Sequence, residues 1–268
     1  MRLMKRIHVV GVGPRTGTSL MAQCMAAGFH IDDFADGEVS LFTLRRGEGV
    51  HLTKWPGDVE TVRMRLLLDP DLFVICMLRD PRDVITSKHR ADPDRYWAHL
   101  RMWRQRMRHA QHIFGHPRVT LVKYEHLVTE PDLVQASIAS RLPFLSTKGQ
   151  FSRFYLTATP GEQIRTALGE VRPIDCASIG NWRRHLPRLA GQIAQHGPIT
   201  AELIELGYET DASWLAALEN VRPDTAPSHW PERVTRRHAW KRRLYARLRQ
   251  YRNLLAVGIE RSLGNPVA

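Results

Sequence analysis

Apolar residues in this chain gather into short unbroken runs separated by polar stretches. The run over 7–12 leads into Gly13-Pro14-Arg15-Thr16-Gly17-Thr18-Ser19 and then into a mostly apolar stretch ending at Ala27. That order predicts a buried strand, a tight Gly/Pro loop and a helix that Gly28 ends in a left-handed conformation. A second run, Leu72-Phe73-Val74-Ile75-Cys76-Met77-Leu78, is continuous in the manner of a strand covered on both faces. Pro81 then fits the first position of a helix, where its missing N–H would have had no partner. The pattern also predicts a helix over 58–68 and a long helical region over 82–114, broken at Asp92-Pro93. A strand over 120–124, a helix over 132–141 and a helical stretch over 198–218 complete the main body. Residues 32–57 and 146–173 read as loop-rich and irregular. Strands alternating with helices in this way predict an α/β fold, a mostly parallel central sheet flanked by helices.

Two turns in this layout suit anions. The Gly13–Gly17 turn points free helix N–H groups and the positive end of a helix dipole at one spot, with Arg15, Thr16, Thr18 and Ser19 beside it. It approaches the ATP/GTP P-loop, but that pattern needs Lys where Thr18 stands, and the first Gly is off its spacing. The cation has moved into the loop, as Arg15. The second turn begins at Arg79, at the end of the Leu72–Leu78 run, with Ser87 about two helical turns further on. A guanidinium fork with a hydroxyl makes a phosphate site. The plainer reading of this segment is that Arg79 and Asp83 pair at a helix terminus. Two anion sites at the C-terminal ends of two parallel strands lie where open α/β sheets bind ligands.

These segments resemble the sulfotransferases that use 3′-phosphoadenosine 5′-phosphosulfate (PAPS). Pro14-Arg15-Thr16-Gly17-Thr18-Ser19 is similar to the family's 5′-phosphosulfate loop. Arg79-Asp80-Pro81-Arg82-Asp83 through Ser87 is similar to its 3′-phosphate motif, with the same eight-residue step from Arg to Ser. Leu52-Thr53-Lys54-Trp55-Pro56 resembles the Lys-x-Pro segment of carbohydrate and tyrosyl-protein members, and Val119 to Leu127 their Arg-Tyr-Glu-Asp-Leu block. Ser178-Ile179-Gly180-Asn181-Trp182-Arg183 resembles the late Gly-x-Trp-Arg/Lys block. The resemblance implies a P-loop-like architecture over residues 1–222 with PAPS as donor, 3′-phosphoadenosine 5′-phosphate (PAP) as product, and no metal. The acceptor it implies is a hydroxyl, of a glycan or a lipid-linked glycan. Arg15 would stabilise the leaving phosphate and Lys54 would neutralise the sulfonate from the other side. The bland counterparts are a structural phosphate clamp and a solvated lysine before a turn. Several members take their base from a Glu downstream of the loop cation, just after a Gly. Gly37-Glu38 fits best, Asp36 is second, and His51 is third, since other members use a His. Trp182 with Arg183 or Arg184 would cover the adenine or the 3′-phosphate, against the alternative of a core Trp with solvated arginines. Residues 32–57 would surround the acceptor entrance, and 146–173 would form a lid or substrate loop. Tyr124 and Glu125 read as structural, and Tyr96, Trp97 and Trp103 as packing residues.

With 43% apolar residues in 268, the chain can bury one substantial core with a small appendage. Its basic start enters the glycine loop directly, so it reads as strand rather than leader. Cys24, Cys76 and Cys176 have no metal-ligand spacing and read as reduced, as expected in cytoplasm. Composition changes after 222. From His229 onward there are ten Lys and Arg against two Glu, a surplus of eight out of the chain's net +12. Trp240, Leu244, Leu248, Tyr251, Leu255 and Ile259 recur at steps of three or four. Residues 223–268 therefore read as a linker and a basic amphipathic helix. Such a helix lies on an anionic membrane surface, docks on a partner, or packs on its own domain. The first reading makes the protein peripheral at the inner face of the membrane. The basic excess also serves a nucleotide bearing several negative charges, so no nucleic acid is expected. The remaining alternatives are a P-loop-like nucleotide kinase or NTPase and a non-enzymatic membrane-binding module.

Overall fold

In the computed structural model the described residues are 4–42, 47–89, 92–161 and 171–231, with Trp240, Leu244, Leu248 and Tyr251 beyond them. A five-stranded parallel sheet forms the centre, in the order β2 (Asp33–Phe34), β3 (Val50–Lys54), β1 (Lys5–Gly11), β4 (Leu72–Leu78), β7 (Val119–Lys123). Alternation along each strand feeds two cores. From β1, Ile7 and Val9 enter one and Val10 the other, and from β4 Ile75 and Met77 oppose Leu72, Val74, Cys76 and Leu78. The first core is completed by α1 (Thr18–Gly28), by Leu127 of α5 (Tyr124–Thr129) and by α6 (Pro131–Arg141). The second takes α2 (Val62–Leu68), α4 (Leu100–Gln111) and the helix Leu186–His196. This doubly covered sheet explains why its central strands read as continuous apolar runs.

Several elements differ from their sequence reading, each for a visible reason. Gly28 stays helical, and Phe29 caps the helix in an extended conformation, φ −126°. The glycine is there for close approach, because a Cβ at 28 would stand 2.6 Å from the Phe151 ring. We expect Gly28→Ala to cost about 1–3 kcal/mol by overpacking, read as a lower urea midpoint at unchanged m-value. The region 82–114 is not one broken helix. After α3 (Pro81–Ile85) the chain makes an antiparallel hairpin, β5 (Lys88–His89) and β6 (Asp92–Tyr96), and α4 starts only after His99, whose ring accepts from Met102 N–H at 3.2 Å. Pro93 forbids the helix there. The 58–68 helix is split at Thr61 into a 3₁₀ turn, Pro56–Glu60, and α2. The 198–218 stretch is likewise split, into a helix at Thr200–Glu205 and a 3₁₀ turn at Ser213–Leu218, with Gly207 at φ 69° between them. The helix Leu186–His196 was not anticipated. Within 146–173, Phe151–Leu156 is a 3₁₀ turn packed on α1 through the edge-to-face pair Phe29–Phe151, and 162–170 lie outside the described residues.

The stretch read as a linker does not leave the domain. Asp224 N–H donates to Pro187 O at 2.8 Å and His229 N–H to Tyr96 O at 2.8 Å. The fully buried Arg188 donates to Ala226 O and to Ser228 Oγ, at 2.9 and 2.6 Å. Cys24 and Cys76 are buried, and burial raises both thiols, Cys76 to about 12, whereas Cys176 is exposed. No helix among the described residues is long and apolar enough to cross a membrane.

Candidate active site

The C-terminal ends of β1, β3, β4 and β7 open onto one cavity of about 490 Å³. Its wall includes Pro14, Arg15 and Gly17 from the first loop, residues 18–20 at the start of α1, Lys54 ending β3 and Pro56 beyond it, Arg79 after β4, and Tyr124 after β7. The first loop is built on three left-handed residues, Gly13 (φ 108°), Arg15 (φ 64°) and Gly17 (φ 85°). Arg15 is not a glycine, so its conformation stores strain that the surrounding loop must hold. Gly17 is the N-cap of α1 and no side chain caps the helix, which leaves its first amides to a ligand. A Cβ on Gly17 would lie 2.5 Å from the Tyr124 ring, so this turn closes against the β7 block. Thr16 turns away from the cavity. Its Oγ1 donates to Gly13 O at 3.1 Å, so its side chain shapes the loop rather than contacting a ligand.

The two anion segments meet. Arg79 Nη1 donates to Arg15 O at 2.9 Å and Nη2 to Ser178 O at 2.6 Å, and its guanidinium lies 4.4 Å from the Tyr124 ring centroid. Arg15 Nε donates to Ser87 Oγ at 3.2 Å. Asp83 stands 3.9 Å from Arg79 and accepts from Gly180 and Trp182 N–H at 2.9 and 2.8 Å. Burial raises the Asp83 carboxyl, with Arg79 opposing. Thus Arg79 sits beside Asp83, as the plainer reading of this segment has it, and the same carboxylate hangs the late 178–182 block over the site. Glu125, read as structural, accepts from Asp80 N–H and from the Tyr208 hydroxyl, at 2.9 and 3.1 Å.

Lys54 is almost wholly buried and lies 3.7 Å from Glu38, at the mouth of the same cavity. Gly37 at φ 139° makes the turn that presents Glu38. Burial lowers the Lys54 ammonium from its usual 10.5, while Glu38 and then Asp36 oppose that fall. A buried clamp holds the pair in place. His8 Nδ1 lies 2.7 Å from Thr53 Oγ1, next to Lys54, and His8 Nε2 lies 3.3 Å from Asp58, which accepts from Leu41 N–H at 2.8 Å just beyond Glu38. Asp36 points elsewhere, to Gln23 Nε2 at 3.4 Å and to the Gly161 amide. His51 is buried along β3, held by Asp33 O and Oδ2 at 3.1 and 3.0 Å. It stands three residues, about 10 Å, before Lys54 and on the opposite face of the strand.

Trp182 is a correction to the sequence reading. It is 2% exposed, packs edge-to-face on Trp214 and carries the Arg82 guanidinium 4.3 Å from its ring, so it belongs to the core. Arg183 is exposed and folds back over Trp182 at 4.5 Å, and neither lines the cavity among the described residues. The sequence reading missed His89 and took Trp97 for a packing residue, and both line it, as do Phe154 and Arg172 from the 146–173 stretch. Trp97 is packed by His89 at 4.4 Å, and burial together with Arg15 lowers the His89 imidazole.

No family model and no curated relative matches this chain. Solved structures do. The sulfotransferase domain from the curacin biosynthetic pathway matches at 16% identity and TM-score 0.50, over 68% of this chain and 92% of that one. The chain has the sulfotransferase fold. More distant matches are the sulfotransferase domain of the Synechococcus PCC 7002 olefin synthase (15% identity, TM-score 0.45, 68% and 89% covered) and mouse sulfotransferase SULT7A1 complexed with PAP (11%, 0.46, 80% and 88%). The described cavity stands at the strand ends where such a sheet binds its ligands.

Proposed function

We propose that this protein transfers a sulfonate from PAPS to a hydroxyl of a glycan or lipid-linked glycan. One observation carries the reading. The loop resembling the 5′-phosphosulfate motif and the segment resembling the 3′-phosphate motif interlock through Arg79–Arg15 O and Arg15–Ser87, forming a single cationic rim. The donor supplies an activated sulfonate, and the chain supplies position and charge. The uncapped amides of α1, with Thr18 and Ser19, hold the 5′-phosphate, and Arg79 with Ser87, which meets Arg15 Nε, holds the 3′-phosphate. Glu38 takes the proton of the acceptor hydroxyl as its oxygen bonds to sulfur. The bond from sulfur to the bridging phosphate oxygen breaks, and Arg15 stabilises the charge left on that oxygen. Lys54 neutralises the sulfonate from the acceptor side. The glycan preference rests on the Lys54-Trp55-Pro56 segment, which resembles that of carbohydrate members.

The test is calorimetry with PAP and ATP, followed by mass spectrometry for PAP formed from PAPS in the presence of candidate glycans. Tight PAP binding with weak ATP binding supports the reading, and the reverse order overturns it. If Lys54 acts as a cation, kcat falls as pH rises through its ammonium titration, at a midpoint below 10.5 because burial lowers it. In Lys54→Arg the charge persists past pH 12, so that alkaline limb moves up or vanishes in the kcat–pH profile.

A further inference from the structure

The residues after 222 combine an anchor and, among the described residues, an exposed apolar stripe. The anchor is the strap 224–230, which crosses the Leu186–His196 helix so closely that a Cβ on Gly191 would stand 1.8 Å from Asp224 O. At its end His229 stacks on Trp97 with ring centroids 3.9 Å apart and planes 11° from parallel, and its Nδ1 lies 2.7 Å from Asp92 Oδ2. Trp230 meets the same indole edge-on at 6.4 Å. Trp97 is itself part of the cavity wall. The strap therefore ties the chain to the rim of the cavity immediately before the basic segment begins.

Beyond it, Trp240, Leu244, Leu248 and Tyr251 are helical and exposed, Trp240 to 63% and Tyr251 to 65%. Steps of four, four and three place them within about 80° of one another at 3.6 residues per turn, on one stripe. Leu255 and Ile259, which continue the pattern in the sequence, lie outside the described residues. Exposure of all four members argues against the stripe packing on its own domain. Lys241, Arg242, Arg243, Arg247, Arg249 and Arg252 are interspersed with them in the sequence, within the segment that holds ten Lys and Arg against two Glu. An indole and a phenol bracketing two leucines suit the headgroup boundary, and the surplus of cations complements anionic lipid.

We propose that this stripe docks the protein on an anionic membrane surface. The strap then sets the Trp97 side of the cavity near that surface, where a lipid-anchored acceptor presents its hydroxyl. This second step rests on the sulfotransferase reading. Docking itself does not.

The experiment is flotation of the full chain with phosphatidylcholine vesicles, with and without phosphatidylserine. Partition at least about tenfold stronger on the anionic vesicles, lost at high salt, is the expected result. The triple variant Trp240→Glu/Leu244→Glu/Leu248→Glu, and a chain ending at Pro231 that keeps the strap, should each lose about tenfold or more of that partition. Equal binding to both vesicle types, or undiminished partition by either variant, overturns the proposal. So does sedimentation showing that the stripe drives self-association in place of vesicle binding. PAP affinity measured on the same samples separates the two ideas. A chain that binds PAP but no vesicle refutes only the docking, and one that binds vesicles but no PAP refutes only the enzymatic reading.

Discussion

Arg15→Ala is expected to lower kcat for PAP formation by about a thousandfold or more while leaving the affinity for PAP within about tenfold of the parent. The split follows from how Arg15 is used. Its backbone carbonyl, which alanine retains, accepts from Arg79 at 2.9 Å, so the 3′-phosphate contact keeps its support. Its guanidinium is what disappears, and in the proposed chemistry that group acts chiefly as charge builds on the departing oxygen, which is a contribution to kcat rather than to binding. Arg79→Ala should give the opposite pattern. It removes a fork that donates to Arg15 O and Ser178 O and stacks on Tyr124, so PAP affinity should weaken by about 2–4 kcal/mol, measured by calorimetry. Arg15→Lys should fall between, because it keeps a cation but loses the planar donor that meets Ser87 Oγ. An Arg15→Ala enzyme with undiminished turnover would leave the loop cation as a phosphate clamp alone.

What the sequence disclosed, and what it hid, follows from how locally each feature is determined. β1 and β4 were legible because a strand covered on both faces is apolar through its buried length, and from Ile7 to Val10 and from Leu72 to Leu78 the residues divide between the two cores with no polar interruption except His8. The anion turns were legible because left-handed glycines and a helix-starting proline leave marks at fixed positions. The 88–96 hairpin was hidden by its composition. Lys88, His89, Asp92, Asp94 and Arg95 give no alternation, and only the break at Asp92-Pro93 betrays it. The Leu186–His196 helix carries Leu189 and Ile193 four residues apart, but its buried face also holds Arg188 and Gln192, polar residues committed to the strap and to Leu100 N–H. Trp182 was misassigned because a tryptophan beside arginines has the same local pattern whether it covers a ligand or a core. Trp214, which decides the matter, is thirty-two residues away. The role of Trp97 was hidden for the same reason, since its partner His229 comes from the far end of the chain.

The choice among Glu38, Asp36 and His51 was the question that local pattern left open, and it yields the second large effect. Glu38→Gln should lower kcat by about 10²–10⁴, with PAP affinity nearly unchanged. Glutamine keeps the length and an oxygen toward Lys54 Nζ, which lies 3.7 Å from Glu38 Oε1 in the parent, but cannot accept the acceptor proton. The alkaline limb should also move. Glu38 is the strongest influence opposing the burial that lowers the Lys54 ammonium, so its removal carries that titration to still lower pH and narrows the active range from above. Asp36→Asn should do much less, since its carboxylate is spent on Gln23 and the Gly161 amide, and His51→Gln should affect stability through the lost Asp33 contact rather than the shape of the profile. If Asp36→Asn lowered kcat that far and Glu38→Gln left it unchanged, the base would be Asp36 and the loop beyond Gly37 would serve only to hold Lys54. Turnover measured on these three variants, each first shown to bind PAP, distinguishes the two arrangements because only loss of a base in contact with the acceptor lowers kcat without loosening the nucleotide.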